Sequence, residues 1–337
     1  MDIATTLREQ FGVRFRESEP MRLHTNFRIG GSARYYVEVR TTDEVAAAVA
    51  AARATDVPWF VLGGGSNTLV ADAGFDGLVI QMALRDVRIE GAQVIAGAGA
   101  ITAAVARQAA DVGLTGFEWA ASVPGTIGGA VRGNAGCFGG EMKDVVEHVR
   151  VLQVDSRQPI ARPDRSVGAD IIANAGCGFR YRHSAFKEHP EWIIREVTFA
   201  LQSGDAAACR ERLEEFLTRR KIKQPLERPS AGCLFTNVEE RALAPEHIAT
   251  LDRATDNAWR TVAHDEQIPA GWLIERAGLK GYRVGNVMVS EKHGNFVINL
   301  GGGTAADVAQ LSADVRARIR ERFGIELREE VQRLGFS

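Results

Sequence analysis

Glycine limits most strongly what this chain can fold into. It fills 35 of 337 positions, against about 7% in an average protein. The residues come in clusters: GGS (30–32), LGGGSN (62–67), GAGA (97–100), PGTIGG (124–129), GNAGCFGG (133–140) and GGG (301–303). Random loops would scatter them. Main chain without β-carbons can approach another group closely and can adopt positive φ. In VLGGGSNTLV (61–70) an apolar strand runs into three glycines, Ser66 and Asn67. The exposed amides of such a loop suit an anion such as pyrophosphate. No Lys-Ser/Thr follows, so this is not a Walker loop, and it does not read GxGxxG. EWAASVPGTIGGAVRGNAG (118–136) supplies a second run of small residues, stiffened at Pro124. Two such loops can grip opposite sides of one diphosphate. Taken singly, each also reads as an ordinary glycine turn or a close-packed helix–strand junction.

The length predicts two or three domains. A formal net charge of -2 gives no support for broad nucleic-acid binding, which needs a basic surface. Cys137, Cys177, Cys209 and Cys233 form no CxxC pair, so neither a metal site nor a disulfide framework is expected. Dispersed thiols fit a reducing compartment. The opening MDIATTLREQFGV lacks the apolar core of a signal peptide. No run approaches the ~20 apolar residues of a membrane span. A cytoplasmic protein without membrane insertion is expected.

Helical periodicity and caps predict helices over 43–54, 102–113 (Thr102 as N-cap), 209–225 and 304–324. Leu213, Phe216 and Leu217 share one face of the third; Val308, Leu311, Val315 and Ile319 stripe the fourth. Strands are predicted over 35–39, 59–62, 77–82, 192–201 and 295–299. No regular βαβ period joins them, so the class is α+β. The basic stretch RRKIKQPLERP (219–229) reads as a boundary or hinge.

Three further stretches carry candidate chemistry. In CGFRYRHSAFK (177–187), Arg180, Arg182, His183 and Lys187 alternate with aromatics. This suits a planar anion, since guanidinium binds carboxylates in bidentate fashion and stacks on rings; a solvated basic strand is the alternative. PSAGCLFTN (229–237) places Cys233 in a turn of small residues. In IELREEVQRLG (325–335), Glu329 and Glu330 are adjacent. On a strand they would face opposite sides, so at most one points into any site.

Together these stretches resemble the UDP-N-acetylenolpyruvoylglucosamine reductases (MurB), flavoenzymes of bacterial cell-wall synthesis. The motifs HTNFRIGG, LGGGSN, SVPGTIGGAVRGNAG, FRYRHSAFK, KQPLERPSAGCLFTN, AGWLIERAGLKGYRVGNVMVSEKHGNFVIN and ELREEV occur in the family's order, from about residue 25 to the C-terminus. The resemblance implies a two-part FAD-binding module of the vanillyl-alcohol-oxidase (PCMH) type plus a C-terminal α+β substrate domain. Residues 1–58 with the tail 325–337 would form the first FAD subdomain, 59–205 the second, and 206–324 the substrate domain. The short interval between Leu201 and Asp205 leaves no room for the tyrosine-bearing insertion of one subclass, so the subclass without it is implied.

The same resemblance implies NADPH-dependent reduction of UDP-N-acetylglucosamine enolpyruvate to UDP-N-acetylmuramate through FAD; separately, a monomer is expected. Gly63, Gly64, Gly65, Ser66, Asn67, Ser122, Pro124, Gly125, Gly128 and Gly129 would hold FAD. Tyr181, Lys223, Asn237 and His293 would contact the UDP-sugar. Arg182 and Glu330, the latter as a protonated acid, would stabilise charge growing on the enolpyruvyl carboxylate. The family's proton donor is usually a serine; here Cys233 stands in its place. A thiol with a pKa of about 8.5 is a far stronger acid than an alcohol and stays mostly protonated near neutrality. Thr236 replaces a common lysine, removing a cation near the substrate. Two rival readings are another flavoprotein of the same FAD fold and a nucleotide-binding scaffold that has lost catalysis. The motifs from Lys223 onward weigh against the first; the changes at Cys233 and Thr236 motivate the second.

Overall fold

The computed structural model describes residues 2–154 and 171–336; the stretch 155–170, within the expected 59–205 subdomain, lies outside the described residues. The chain sorts into two units. One comprises Met1–Glu19, Ala33–Gly64 and Asp76–Arg220, the other Pro20–Ser32, Gly65–Phe75 and Lys221–Ser337. The division near 220 falls inside the basic stretch expected to be a boundary. The chain does not break there, however, because the helix Ala206–Lys223 continues through it. It stops before Pro225, whose ring disfavours helical backbone in the preceding residue.

Two larger sheets build the first unit. One orders the strands Phe15–Pro20, Ser32–Val39, Phe75–Met82 and Trp59–Leu62 side by side. The last two run parallel, with Leu62 opposite Gln81. The alanine-rich helix Thr42–Ala54 buries Val45, Ala48, Val49, Ala51 and Ala52 and is capped by the Thr41 hydroxyl, which accepts from the Glu44 N–H. The other sheet orders Ile171–Ala173, Val146–Gln153, Trp192–Ala200, Gln93–Gly97 and Val87–Glu90, antiparallel throughout. The helix Thr102–Asp111 corrects one expectation: its N-cap is Ile101, not Thr102. Ile101 is held extended by a bridge to Thr126. Thr102 thereby becomes the first helical residue, its hydroxyl 3.4 Å from the Gly125 carbonyl.

The second unit has an antiparallel sheet ordered Ser230–Cys233, Phe296–Asn299, Val287–Val289 and Arg283–Val284. The helix Ala305–Phe323 buries Val308, Leu311, Val315 and Ile319, as its periodicity required. Thr304 and Asp307 form a reciprocal capping box, and Gly324 ends the helix at φ 72°. Asp72 accepts from the N–H groups of Ala305 and Ala306 at 2.7 and 2.9 Å, placing a negative charge at the positive end of the helix dipole. The tail strand Gln332–Leu334 pairs in parallel with Thr68–Val70. Among the described residues no helix is long and apolar enough to cross a membrane.

Candidate active site

In the first unit the two glycine loops meet. The strand Trp59–Leu62 delivers Gly63 and Gly64, and the Gln81 side chain donates to the Gly63 carbonyl at 2.6 Å, fixing the loop's start. A β-carbon on Gly64 would lie 2.6 Å from the Gly125 Cα; one on Gly63 would lie 2.6 Å from the Thr126 hydroxyl. The loop 124–129 is itself laid on the chain at 98–101, with Gly128 N–H donating to Ala98 O and Ile127 N–H to Ala100 O, each at 2.9 Å. Ser122 and Thr126 are buried here, and their hydroxyl oxygens have no hydrogen-bond partner among the described residues. A buried hydroxyl left without a partner costs about 1–3 kcal/mol. The wall is therefore built for an acceptor that the chain does not supply.

Arg182 sits at the tip of a tight turn in the same unit. Arg180 and His183 exchange both backbone hydrogen bonds at 3.0 Å, leaving Tyr181 and Arg182 as the turn residues. Arg182 has φ 52°, a left-handed backbone that disfavours any residue with a β-carbon by roughly 1–2 kcal/mol. The turn is pinned on both arms: the Asn134 amide donates to Arg180 O, and the Ser184 hydroxyl to Arg132 O. Arg182 itself donates to Gly136 O at 3.1 Å and lies over the Tyr181 ring at 5.1 Å. Nearby, burial pushes the Cys137 thiol up to about 12, against the pull of Arg182 and Arg220. Cys137 is thus a packed, protonated thiol that donates to Trp119 O.

The second unit holds the remaining candidates. Gly65, at φ 61°, packs so closely on His24 O that a β-carbon would fall 2.0 Å from it. The Asn67 amide donates to Glu330 O, and Gln332 N–H donates to Asn67 O, which ties the tail down. Cys233 ends the strand Ser230–Cys233 opposite Phe296, after a one-residue shift in register. Gly232, at φ 82°, sits in that shift. Such a bulge re-aims the side chain that follows it. Cys233 is half-buried and Phe235, two residues on, fully buried. Glu330 N–H donates to Leu234 O at 2.8 Å, so its backbone lies beside the residue next to Cys233. Glu329 turns elsewhere: its carboxylate accepts from Arg333 at 2.7 and 2.8 Å and from the buried Ser312 hydroxyl.

Asn237 accepts from the Ala270 N–H at 3.2 Å, in the first turn of the helix Ala270–Arg276. Thr236 N–H donates to Arg328 O, and its hydroxyl turns to the same carbonyl. Lys223 is exposed at the end of its helix. Burial, with the Lys280 and Lys223 cations, holds the His293 ring below its ordinary range, partly offset by its backbone hydrogen bond and Glu275. The structure thus brings Gly63 and Gly64 together with Gly125, and Cys233 together with Glu330 through Leu234. Arg182 and Tyr181 belong to the first unit; Lys223, Asn237 and His293 belong to the second.

Comparison with known proteins gives a consistent pattern. The model of the UDP-N-acetylenolpyruvoylglucosamine reductase C-terminal domain matches residues 224–334, and an FAD binding domain model matches 33–158. The UDP-N-acetylenolpyruvoylglucosamine reductase of Caldanaerobacter subterraneus subsp. tengcongensis is 39% identical, covering 94% of this chain and 93% of the relative. That of Heliobacterium modesticaldum is 36% identical over 99% and 95%. The crystal structure of the Thermus caldophilus reductase superposes with a TM-score of 0.70 at 32% identity, covering 95% of this chain and 99% of that one. The chain belongs to the UDP-N-acetylenolpyruvoylglucosamine reductase family.

The α+β class, with an FAD-binding domain followed by the reductase C-terminal domain, is therefore the architecture of this family member. The first unit fits the cofactor on its own geometry: a wall free of β-carbons at Gly64 and Gly125, and two buried hydroxyls awaiting an acceptor. Thr126 was not among the residues singled out from sequence. Its place between Gly125 and Ile127 was the only signal, and its orphaned hydroxyl appears only in three dimensions.

Proposed function

We propose that this chain catalyses the NADPH-dependent reduction of UDP-N-acetylglucosamine enolpyruvate to UDP-N-acetylmuramate, a step in peptidoglycan precursor synthesis. The observation carrying this reading is identity of 36–39% to reductases of that name over nearly the full length of both partners. FAD, when bound, carries the reducing equivalents from NADPH to the β-carbon of the enol ether. Gly63, Gly64, Gly65, Ser66, Asn67, Ser122, Pro124, Gly125, Gly128 and Gly129 are proposed to hold it, and Thr126 joins them because its buried hydroxyl has no partner among the described residues.

The chain's own groups handle charge and proton. Arg182 is proposed to bind the enolpyruvyl carboxylate and, with Glu330, to stabilise the negative charge that grows there. The strained turn supports this role, since a non-glycine residue kept at φ 52° is held against its own preference. Cys233 is proposed to deliver its thiol proton to the α-carbon, completing addition across the double bond. Its bulged strand end, beside the peptide that Glu330 grips, supports that assignment. Tyr181, Lys223, Asn237 and His293 are proposed to position the UDP-sugar. With His293 held below its ordinary range, its ring is neutral near pH 7 and acts as a hydrogen-bond partner rather than a fixed cation. The three-part domain division, the subclass without the tyrosine-bearing insertion, a monomeric state and a cytoplasmic location complete the proposal.

The test is a turnover assay on purified, yellow protein. NADPH oxidation that depends on the enolpyruvyl UDP-sugar and yields UDP-N-acetylmuramate is expected. Bound flavin with no substrate-dependent NADPH oxidation would instead identify a chain that kept the fold and lost the reaction.

A further inference from the structure

We infer that Asn295 is a positioning residue that sets Cys233 and Glu330 relative to one another; the inference rests on the proposed roles of those two residues. Asn295 is 3% exposed and lies just before the strand Phe296–Asn299. Backbone pairing between that strand and Ser230–Cys233 ends at Cys233 opposite Phe296. Beyond this point the Asn295 side chain takes over the ladder. Its Oδ1 accepts from the Phe235 N–H at 2.9 Å and its Nδ2 donates to the Phe235 carbonyl at 2.7 Å. Its own carbonyl accepts from the Leu234 N–H at 2.7 Å. One residue therefore fixes the three successive peptide groups that follow Cys233.

The opposite edge of the same two residues carries the tail. Glu330 N–H donates to Leu234 O, Glu329 bridges to Phe235, and Thr236 N–H donates to Arg328 O. Leu234 and Phe235 thus form a short bar with Asn295 along one edge and Glu330 along the other. Moving the bar moves both the thiol and the carboxylate. Asn295 reaches a third group through its backbone: its N–H donates to His293 Nδ1 at 3.2 Å. A neutral ring that accepts at Nδ1 carries its proton on Nε2, so the same residue selects which nitrogen His293 can offer as a donor.

Only a carboxamide offers this grip, and glutamine's lies one methylene farther from the backbone. The amide is a planar donor–acceptor pair, the same pattern as the peptide it replaces. Leucine fills comparable volume but leaves the buried Phe235 N–H and C=O unsatisfied. A serine hydroxyl is too short to span both groups.

The experiment compares the FAD-loaded wild type with Asn295→Leu and Asn295→Ser. The flavin is first reduced by NADPH without oxygen and then reoxidised by the enolpyruvyl UDP-sugar. Reduction at the wild-type rate is expected, with reoxidation slowed roughly tenfold or more and with kcat falling more than KM rises. Independently of turnover, alkylation of Cys233 by iodoacetamide at about pH 8, read by peptide mass spectrometry well below each variant's Tm, should depart from the wild-type rate. A folded variant with a lowered Tm but normal reoxidation, or with normal Cys233 alkylation, overturns the inference and leaves Asn295 a packing residue. If Asn295→Leu does not fold, Asn295→Ser decides alone. Cys233→Ala is run alongside. Normal reoxidation in that variant sinks the donor assignment and this inference with it, whereas a slow Cys233→Ala beside a normal Asn295→Leu sinks the inference alone.

Discussion

Gly64 in the first unit stands so near Gly125 that a single methyl group has no room. In the second unit, the Asn295 amide instead hydrogen-bonds both the N–H and the C=O of Phe235. One surface is made by removing side chains, the other by a side chain imitating main chain. The difference shows which chemistry each can serve. A wall of backbone and two hydroxyls carries no titratable group and suits a cofactor that must stay bound through every cycle. A strand end held by the Asn295 amide, with the His293 ring on the same residue's N–H, includes a group that answers to pH.

The contrast breaks most sharply at Cys233. Replacing it with alanine is expected to slow reoxidation of the reduced flavin by substrate by ~10²–10⁴-fold, the usual contribution of a general acid, while flavin reduction by NADPH continues. Cys233→Ser should keep measurable turnover. Stopped-flow absorbance of the two half-reactions checks both, and a Cys233→Ala enzyme that reoxidises normally rules the thiol out.

Next in size come paired substitutions in the cradle. Gly64→Ala drives a β-carbon to 2.6 Å from the Gly125 Cα, a contact with backbone that cannot rotate away. It should destabilise by about 1–3 kcal/mol, as overpacking does, and lower the FAD that copurifies. At Gly129 the nearest neighbour to an added β-carbon is the Thr126 hydroxyl at 3.7 Å. Gly129→Ala should therefore fold with an unchanged Tm in the apoprotein. Thermal melts with and without FAD separate the two cases, and equal destabilisation would refute the close-approach account of Gly64.

The smallest expected effect is on pH dependence, and it belongs to the second surface. Burial, reinforced by Lys280 and Lys223, depresses the pKa of His293 from its ordinary 6.5. The unfolded chain then takes up this proton at a higher pH than the folded one. Stability is whole above the ordinary value and declines as pH falls from there toward the depressed one. His293→Gln should flatten Tm against pH across that window, whereas Gly129→Ala should not change the slope. An identical slope in wild type and His293→Gln would remove His293 from the account.

Local rules made much of the fold legible. The Val308–Ile319 stripe and the stop at Gly324 are readable from the sequence around them, and both are in the structure. The glycine runs announced a surface of backbone without saying which glycine meets which. Misreadings came from tertiary context. Thr102 is a better N-cap by composition, but the bridge from Ile101 to Thr126 decides the helix start. In the tail, Glu329 and Glu330 fall before the strand Gln332–Leu334 rather than on it, and Glu329 turns to Ser312 and Arg333. Nothing local pointed to Asn295. Its partner Phe235 is 60 positions away, and a single buried amide leaves no periodic trace.

Arg182 has a consequence for how this turn can change over generations. Glycine would relax the left-handed backbone at φ 52°, so the easiest route to a sturdier loop discards the guanidinium. With Arg182 in its proposed role at the enolpyruvyl carboxylate, selection for heat tolerance and selection for turnover pull position 182 in opposite directions. The arginine would persist only while the second outweighs the first.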